Sequence, residues 1–168
     1  MILAIDVQYQ EDSALAAGVL FSSWDSATPD SSIVKTIQGI APYEAGSFYK
    51  RELPCILSLL EDIEETISVI VVDGFVTLGA NEDKGLGMHL YASLENKIPV
   101  IGVAKRSFKG TPEQCELYSG DSTKPLFVTA VGMTLGEAKA HIASMHGEHR
   151  IPTLLKRVDQ LCRGIVTT

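Results

Sequence analysis

The sequence predicts a mixed α/β fold in which a three-stranded antiparallel meander opens a central sheet flanked by helices. Three observations predict it. Met1 to Val7 and Ala14 to Phe21 are short apolar runs separated by the polar stretch Gln8 to Ser13, the pattern of a hairpin. Ser68 to Val72 and Pro99 to Ala104 are continuous apolar runs, β-branched in the main, as expected of central strands covered on both faces. Between and around them lie segments with helical spacing, and strand, helix, strand with short connections is the signature of a parallel crossover.

The remaining elements follow in order. Ser22 to Ser32 is rich in Ser, Asp and Pro and reads as a loop, and Ile33 to Ile40 alternates apolar and polar residues like a half-buried third strand. From Ser47 to Thr66 the residues Leu53, Ile56, Leu57, Leu60 and Ile63 fall on one helical face, with Glu61, Asp62, Glu64 and Glu65 on or near the other. Gly87 to Asn96 reads as a helix before the strand Pro99 to Ala104. After a polar stretch from Ser107 to Lys124, Pro125 to Val131 is a further strand, and Thr134 to Met145 and Thr153 to Arg163 are helices. No internal repeat or linker interrupts the chain, and 168 residues are expected to form one domain over 1–168.

Composition narrows the function classes. Apolar residues make up 45% and charged residues 21%, which excludes a disordered or low-complexity chain. No window reaches the roughly 18 uncharged apolar residues of a membrane span, so no membrane partner is expected. A formal net charge of −7 opposes nucleic-acid binding by bulk charge, so a polyanion partner would need a metal or a local basic patch. Lys35, Lys50, Arg51, Lys105, Arg106 and Lys109 would have to gather on one face to provide that patch. Cys55, Cys115 and Cys162 form neither an even set nor a C-x-x-C pair, which suits structural thiols in a reducing compartment. With no basic stretch or small-residue cleavage site at the N-terminus, a cytoplasmic protein is expected. No phosphate-loop pattern, G-x-x-x-x-G-K-[ST] or G-x-G-x-x-G, supports a nucleotide-binding domain.

In an open α/β sheet, ligands bind beyond the carboxyl ends of the parallel strands, which directs attention to Asp6, Asp73 and Lys105. A carboxylate inside the first apolar run is costly to bury unless it is paired or binds a cation. Asp73-Gly74 by itself reads as a turn, but if the first and fourth strands are neighbours, Asp6 and Asp73 converge on one spot. Two like charges that close are tolerated only when protonated or bridged, and oxygen-only ligands suit Mg²⁺ or Mn²⁺. Lys105 could neutralise a phosphate or the charge of a transition state, although a lone lysine at a strand end is as readily a solvated side chain. Glu52 could supply a third carboxylate or serve only as a favourable first-turn acid.

These residues, in this order, resemble the endonuclease V family. The likeness is carried by Ala4-Ile5-Asp6-Val7 with Tyr9, Pro42-Tyr43 through Arg51-Glu52, and Val71-Val72-Asp73-Gly74. It continues in Gly87-Met88-His89-Leu90 leading to Ile98-Pro99-Val100-Ile101-Gly102-Val103-Ala104-Lys105, and in Pro125-Leu126-Phe127-Val128 with Arg150-Ile151-Pro152. The resemblance implies an RNase H-like fold and a Mg²⁺-dependent nuclease, with Mn²⁺ as a possible substitute, that cuts DNA or RNA near a deaminated base, chiefly inosine. Asp6, Glu52 and Asp73 match the family's metal-binding and catalytic carboxylates, and Lys105 matches its catalytic lysine. Tyr43 matches the tyrosine that wedges beside an extruded base, and Gly74, Lys50 and Arg106 are expected to contact the strand.

The chain departs from the family pattern at three points. The usual Asp-Gly-His-Gly is replaced by Asp73-Gly74-Phe75-Val76, with extra residues before Gly87. Pro-Tyr-Ile-Pro becomes Pro42-Tyr43-Glu44-Ala45, and a later Pro-Gly-His segment is replaced by Ala130-Val131-Gly132-Met133. These losses hold open a second expectation, a lapsed family member that binds nucleic acid without cleaving it. His89 is expected to pack rather than to replace the missing histidine. His141, His146 and His149 lack the spacing of a closed zinc site and are assigned to surface or capping roles.

Overall fold

The computed structural model describes residues 1–42, 44–45 and 48–165. Its main sheet has seven strands in the order β3-β2-β1-β4-β7-β9-β8. The strands are β1 (Ile2–Tyr9), β2 (Ser13–Phe21), β3 (Ser31–Gln38), β4 (Val69–Asp73), β7 (Val100–Ala104), β8 (Glu116–Leu117) and β9 (Leu126–Val131). A separate two-stranded hairpin joins β5 (Thr77–Leu78) to β6 (Asp83–Lys84). β1, β2 and β3 form the expected antiparallel meander, while β4 pairs parallel with both β1 and β7. This mixed sheet with helices on both faces is the RNase H-like arrangement.

Alternation along the central strands sorts their side chains into two cores. Leu3, Ile5 and Val7 of β1, with Ile70 and Val72 of β4, face helices α1 (Tyr49–Leu60) and α2 (Leu86–Ser93). Ile2 and Ala4, with Val71 of β4 and Ile101 and Val103 of β7, face α3 (Leu135–Ser144) and α4 (Thr153–Cys162). Each helix reaches its core through an apolar stripe. α4 buries Leu154, Val158 and Cys162 at intervals of four residues, and α1 buries Cys55, Ile56 and Leu59 with Glu52 on the same stripe. Thr134 caps α3 by accepting the Glu137 N–H at 3.1 Å.

The structure corrects several element boundaries. α1 ends at Leu60 rather than Thr66, because Glu61, Asp62, Glu64 and Glu65 would place four acids at the negative end of the helix dipole. The strand read as Pro125 to Val131 runs antiparallel to β7, and two-residue strands β5, β6 and β8 carry no periodicity that a sequence reading could detect. Tyr43 and Ser47 lie outside the described residues. Among the described residues, no helix is long and apolar enough to cross a membrane.

Gly102 fixes how the chain leaves β4. A Cβ there would stand 2.5 Å from the Gly74 carbonyl oxygen and 2.8 Å from Thr129 Oγ1, so only glycine lets the segment after Asp73 fold back over β7. That segment is pinned by the Val76 N–H donating to the buried Thr129 hydroxyl at 2.8 Å. Gly102→Ala is therefore expected to destabilise the protein by about 1–3 kcal/mol through forced backbone displacement. A urea unfolding midpoint unchanged from the wild type would contradict this account of the turn.

Candidate active site

The register of the parallel strands brings the candidate residues together. Ile5 lies opposite Val72, so Asp6 and Asp73 stand side by side one residue beyond that row. Asp73 in turn lies opposite Val103, and Lys105 is two residues further along on the same face of the sheet. Asp6 alternates with Ile2 and Ala4, Asp73 with Val71, and Lys105 with Val103, so all three point toward the α4 side. Glu52 arrives from the other side, on the first turn of α1.

The structure adds a residue that the sequence reading missed. Asp159 of α4 places a carboxylate oxygen 3.9 Å from Lys105 Nζ and 3.1 Å from Arg163 Nε. Asp6, Asp159 and Cys162 offer ligand atoms that all lie within 4.8 Å of one another, a grouping able to hold a metal ion. Its signal was present in the helical spacing of Leu155, Asp159 and Cys162 at i, i+4 and i+7, which puts an acid on the border of an apolar stripe. Asp6, Glu52, Asp73, Lys105, Arg106, Asp159 and Arg163 line one open cleft of about 620 Å³.

Burial, and after it like charge, opposes ionisation in this cleft. Burial, then repulsion from Asp73, pushes the Asp6 carboxyl up to about 7, although the Val7 N–H donates to its Oδ1 at 2.8 Å and pulls the other way. Burial holds Glu52 well above the ordinary carboxylate range, with Asp6 and Asp73 adding repulsion and Arg51 opposing it. Arg51 is itself held 3.8 Å above the centre of the Tyr9 ring. The surrounding protein also raises Asp73, against the pull of Lys105. The donor chemistry fits a hard divalent cation, since four carboxylates crowd one cleft and such an ion would relieve their repulsion.

Beside the cleft, across Gly74, lies a second cavity of about 350 Å³ lined by Phe48, Tyr49, Gly74, Phe75, Leu78, Lys84, Gly85, Leu86 and Phe108. Phe48 and Gly74 border both spaces. Phe75 and Phe108 meet edge to face with centroids 6.4 Å apart, and Tyr49 stacks on His89 at 3.6 Å. His89 thus packs as expected. His141 stacks on Trp24 at 4.6 Å, and His146 shares a hydrogen bond of 2.9 Å with Thr153 at the start of α4.

Of the other expected site residues, Gly74 and Arg106 line the cleft. Lys50 does not; it is exposed and pairs with Glu44 at 3.2 Å. Lys35 is drawn to Asp62 at 3.1 Å, so the six cations weighed for a basic patch do not all face the cleft. The three cysteines are free and buried.

The raised carboxyls have a consequence for metal-free stability. A folded pKa of about 7 for Asp6, against 3.8 ordinarily, contributes stability that is full below about pH 4 and is lost as pH rises through 7. With chelator present, the melting temperature is expected to be higher at pH 5 than at pH 8, and Asp6→Asn is expected to raise the pH 8 value. Thermal melts in which Asp6→Asn lowers stability equally at both pH values would contradict this reading of the cleft.

The endonuclease V family pattern matches residues 1–141 of the chain. Endonuclease V of Streptomyces coelicolor is 28% identical to it, over 97% of this chain and 78% of the relative. That of Pyrococcus horikoshii is 29% identical, over 97% of this chain and 73% of the relative. The crystal structure of endonuclease V from Streptomyces avermitilis superposes with a TM-score of 0.73 at 29% identity, covering 97% of this chain and 79% of that one. Ciona intestinalis endonuclease V, solved with a 24mer DNA containing an inosine followed by a ribo-adenosine, shares the fold with a TM-score of 0.77 at 21% identity, covering 97% of this chain and 84% of that one. By the family match over most of its length, borne on a fold that relatives share, this chain belongs to the endonuclease V family.

Proposed function

We propose that the chain is a single-domain, Mg²⁺-dependent endonuclease that hydrolyses a phosphodiester bond in DNA or RNA near a deaminated base, chiefly inosine, with Mn²⁺ able to substitute. The observation that carries this reading is the convergence of Asp6, Glu52, Asp73 and Asp159 with Lys105 in one cleft at the strand ends. The same chemistry is suggested by the inosine-containing DNA bound to the Ciona relative.

Asp6, Glu52, Asp73 and Asp159 would hold the divalent ion through oxygen, and a bound ion supplies an acidified water and neutralises phosphate charge. The Cys162 thiol is pushed up by burial and by Asp6, and behaves as a packed neutral group behind those oxygens. Lys105 faces the same space, where its ammonium offsets charge that builds on the phosphate as the P–O bond breaks. Asp159 orients that ammonium and is steadied by Arg163. Arg106 lies beside it for the strand's backbone. A second groove of about 550 Å³ shares Lys105 and Asp159 with the cleft and carries Arg150, Lys156 and Arg157, a route for further phosphates on an otherwise acidic protein. The aromatic cavity across Gly74 suits a base turned out of its stack, and Tyr43, if it wedges as in the family, would fill the gap left behind.

Phe75 and the Ala130-Val131-Gly132-Met133 segment stand where the family pattern carries histidines, and they favour one alternative, a relative that binds nucleic acid without cleaving it. Single- and double-stranded oligonucleotides carrying one inosine, incubated with Mg²⁺, Mn²⁺ or EDTA, separate the two. The nuclease reading expects a metal-dependent nick near the inosine, abolished in Asp73→Ala and slowed about 100-fold or more in Lys105→Ala. Tight binding of the inosine strand with no nick at any metal concentration would overturn it in favour of the alternative.

A further inference from the structure

Of the residues around the aromatic cavity, Lys84 has no counterpart in the reading above, and its chemistry is specific. Among the described residues it is the one charged side chain lining the cavity, whose other walls are aromatic rings, leucines and glycine backbone. Phe48 and Phe108 are 46% and 47% exposed, two ring faces left open to solvent at the rim of a space that could cover them. Four backbone donors nearby are already spent. The N–H of Gly74 donates to the Val103 carbonyl, that of Val76 to the Thr129 hydroxyl, that of Gly85 to the Val76 carbonyl and that of Gly87 to the Phe75 carbonyl.

Lys84 is held at this wall by the short hairpin in which it pairs with Thr77, within the residues that this chain inserts before Gly87. Among the described residues it makes no ion pair. Its charge, after the burial of the ring, holds His89 below the ordinary range, and His89 stacks on Tyr49 in the same wall.

We propose that Lys84 sets base selectivity in this cavity by favouring a ring with a carbonyl oxygen over the same ring with an exocyclic amine. An ammonium has three donors and no acceptor. Deamination replaces an amine, a donor, by a carbonyl, an acceptor, so hypoxanthine can receive a hydrogen bond from Lys84 where adenine would set donor against donor. Tyr49 carries a hydroxyl that both donates and accepts, and so cannot make this distinction. Stacking on Phe75 and Phe108 is shared by both bases and supplies affinity without discrimination.

The inference rests on the nuclease reading, and its test separates the two. Fluorescence anisotropy would measure binding of two single strands, identical except for inosine or adenosine at one position, to the full chain and to Lys84→Met and Lys84→Arg. The side chain is exposed, so both variants should fold. The wild type is expected to prefer the inosine strand by about 10-fold or more, since an adenine amine facing the ammonium would leave both donors unmet. Lys84→Met should bring the ratio close to one, and Lys84→Arg should retain it. Loss of a cation alone would weaken both strands equally and leave the ratio unchanged, and that result overturns the assignment while metal-dependent nicking of inosine strands leaves the nuclease reading standing. A wild type that neither prefers nor cuts the inosine strand overturns both.

Discussion

The structure turns on the placement of four carboxylates where their charges repel one another. Asp6, Asp73, Asp159 and Glu52 come from two adjacent strands and from helices on opposite faces of the sheet, so no local element can relieve the crowding. Burial is the largest cause of the upward shift for Asp6, Glu52 and Asp73. A cleft of this kind is poorly suited to metal-free folding and well suited to a cation, because the same repulsion that opposes ionisation becomes binding energy once positive charge enters.

The rest of the fold can be understood as what holds that cluster in place. The parallel pairing of β1, β4 and β7 sets Asp6, Asp73 and Lys105 on one face, and two-sided burial of those strands prevents a slip that would turn them to the other. Gly102 lets the chain after Asp73 fold back over β7, which opens the aromatic cavity beside the carboxylates. α4 buries Leu154, Val158 and Cys162 so that Asp159 reaches the site from a firmly packed helix. The cleft therefore depends on ordinary packing at its back, while the neighbouring cavity depends on the turn after Asp73.

Much of this was legible in the sequence because strand patterning is strict. Asp6 interrupts an apolar run and Asp73 and Lys105 end such runs, so each announces itself as a residue that core packing does not explain. Glu52 was legible from its motif but not from periodicity, since a first-turn acid is common on any helix. Asp159 was not found because α4 is amphipathic and an acid on its border reads as solvated until the helix is docked. The β5–β6 hairpin was equally hidden, as two-residue strands are specified by pairing partners and not by their own pattern. With it went the position of Lys84.

The central claim, that the carboxylates form a cation site in which burial and then repulsion keep Asp6 and Glu52 partly protonated, is tested most directly by calorimetric titration of Mn²⁺ at pH 7. Running it in two buffers of different ionisation enthalpy reads the protons released on binding. The account predicts binding with a net release, because Asp6 at about 7 is only partly ionised before the ion enters and Glu52 lies well above its ordinary range. The same heat in both buffers, or no binding, would contradict it.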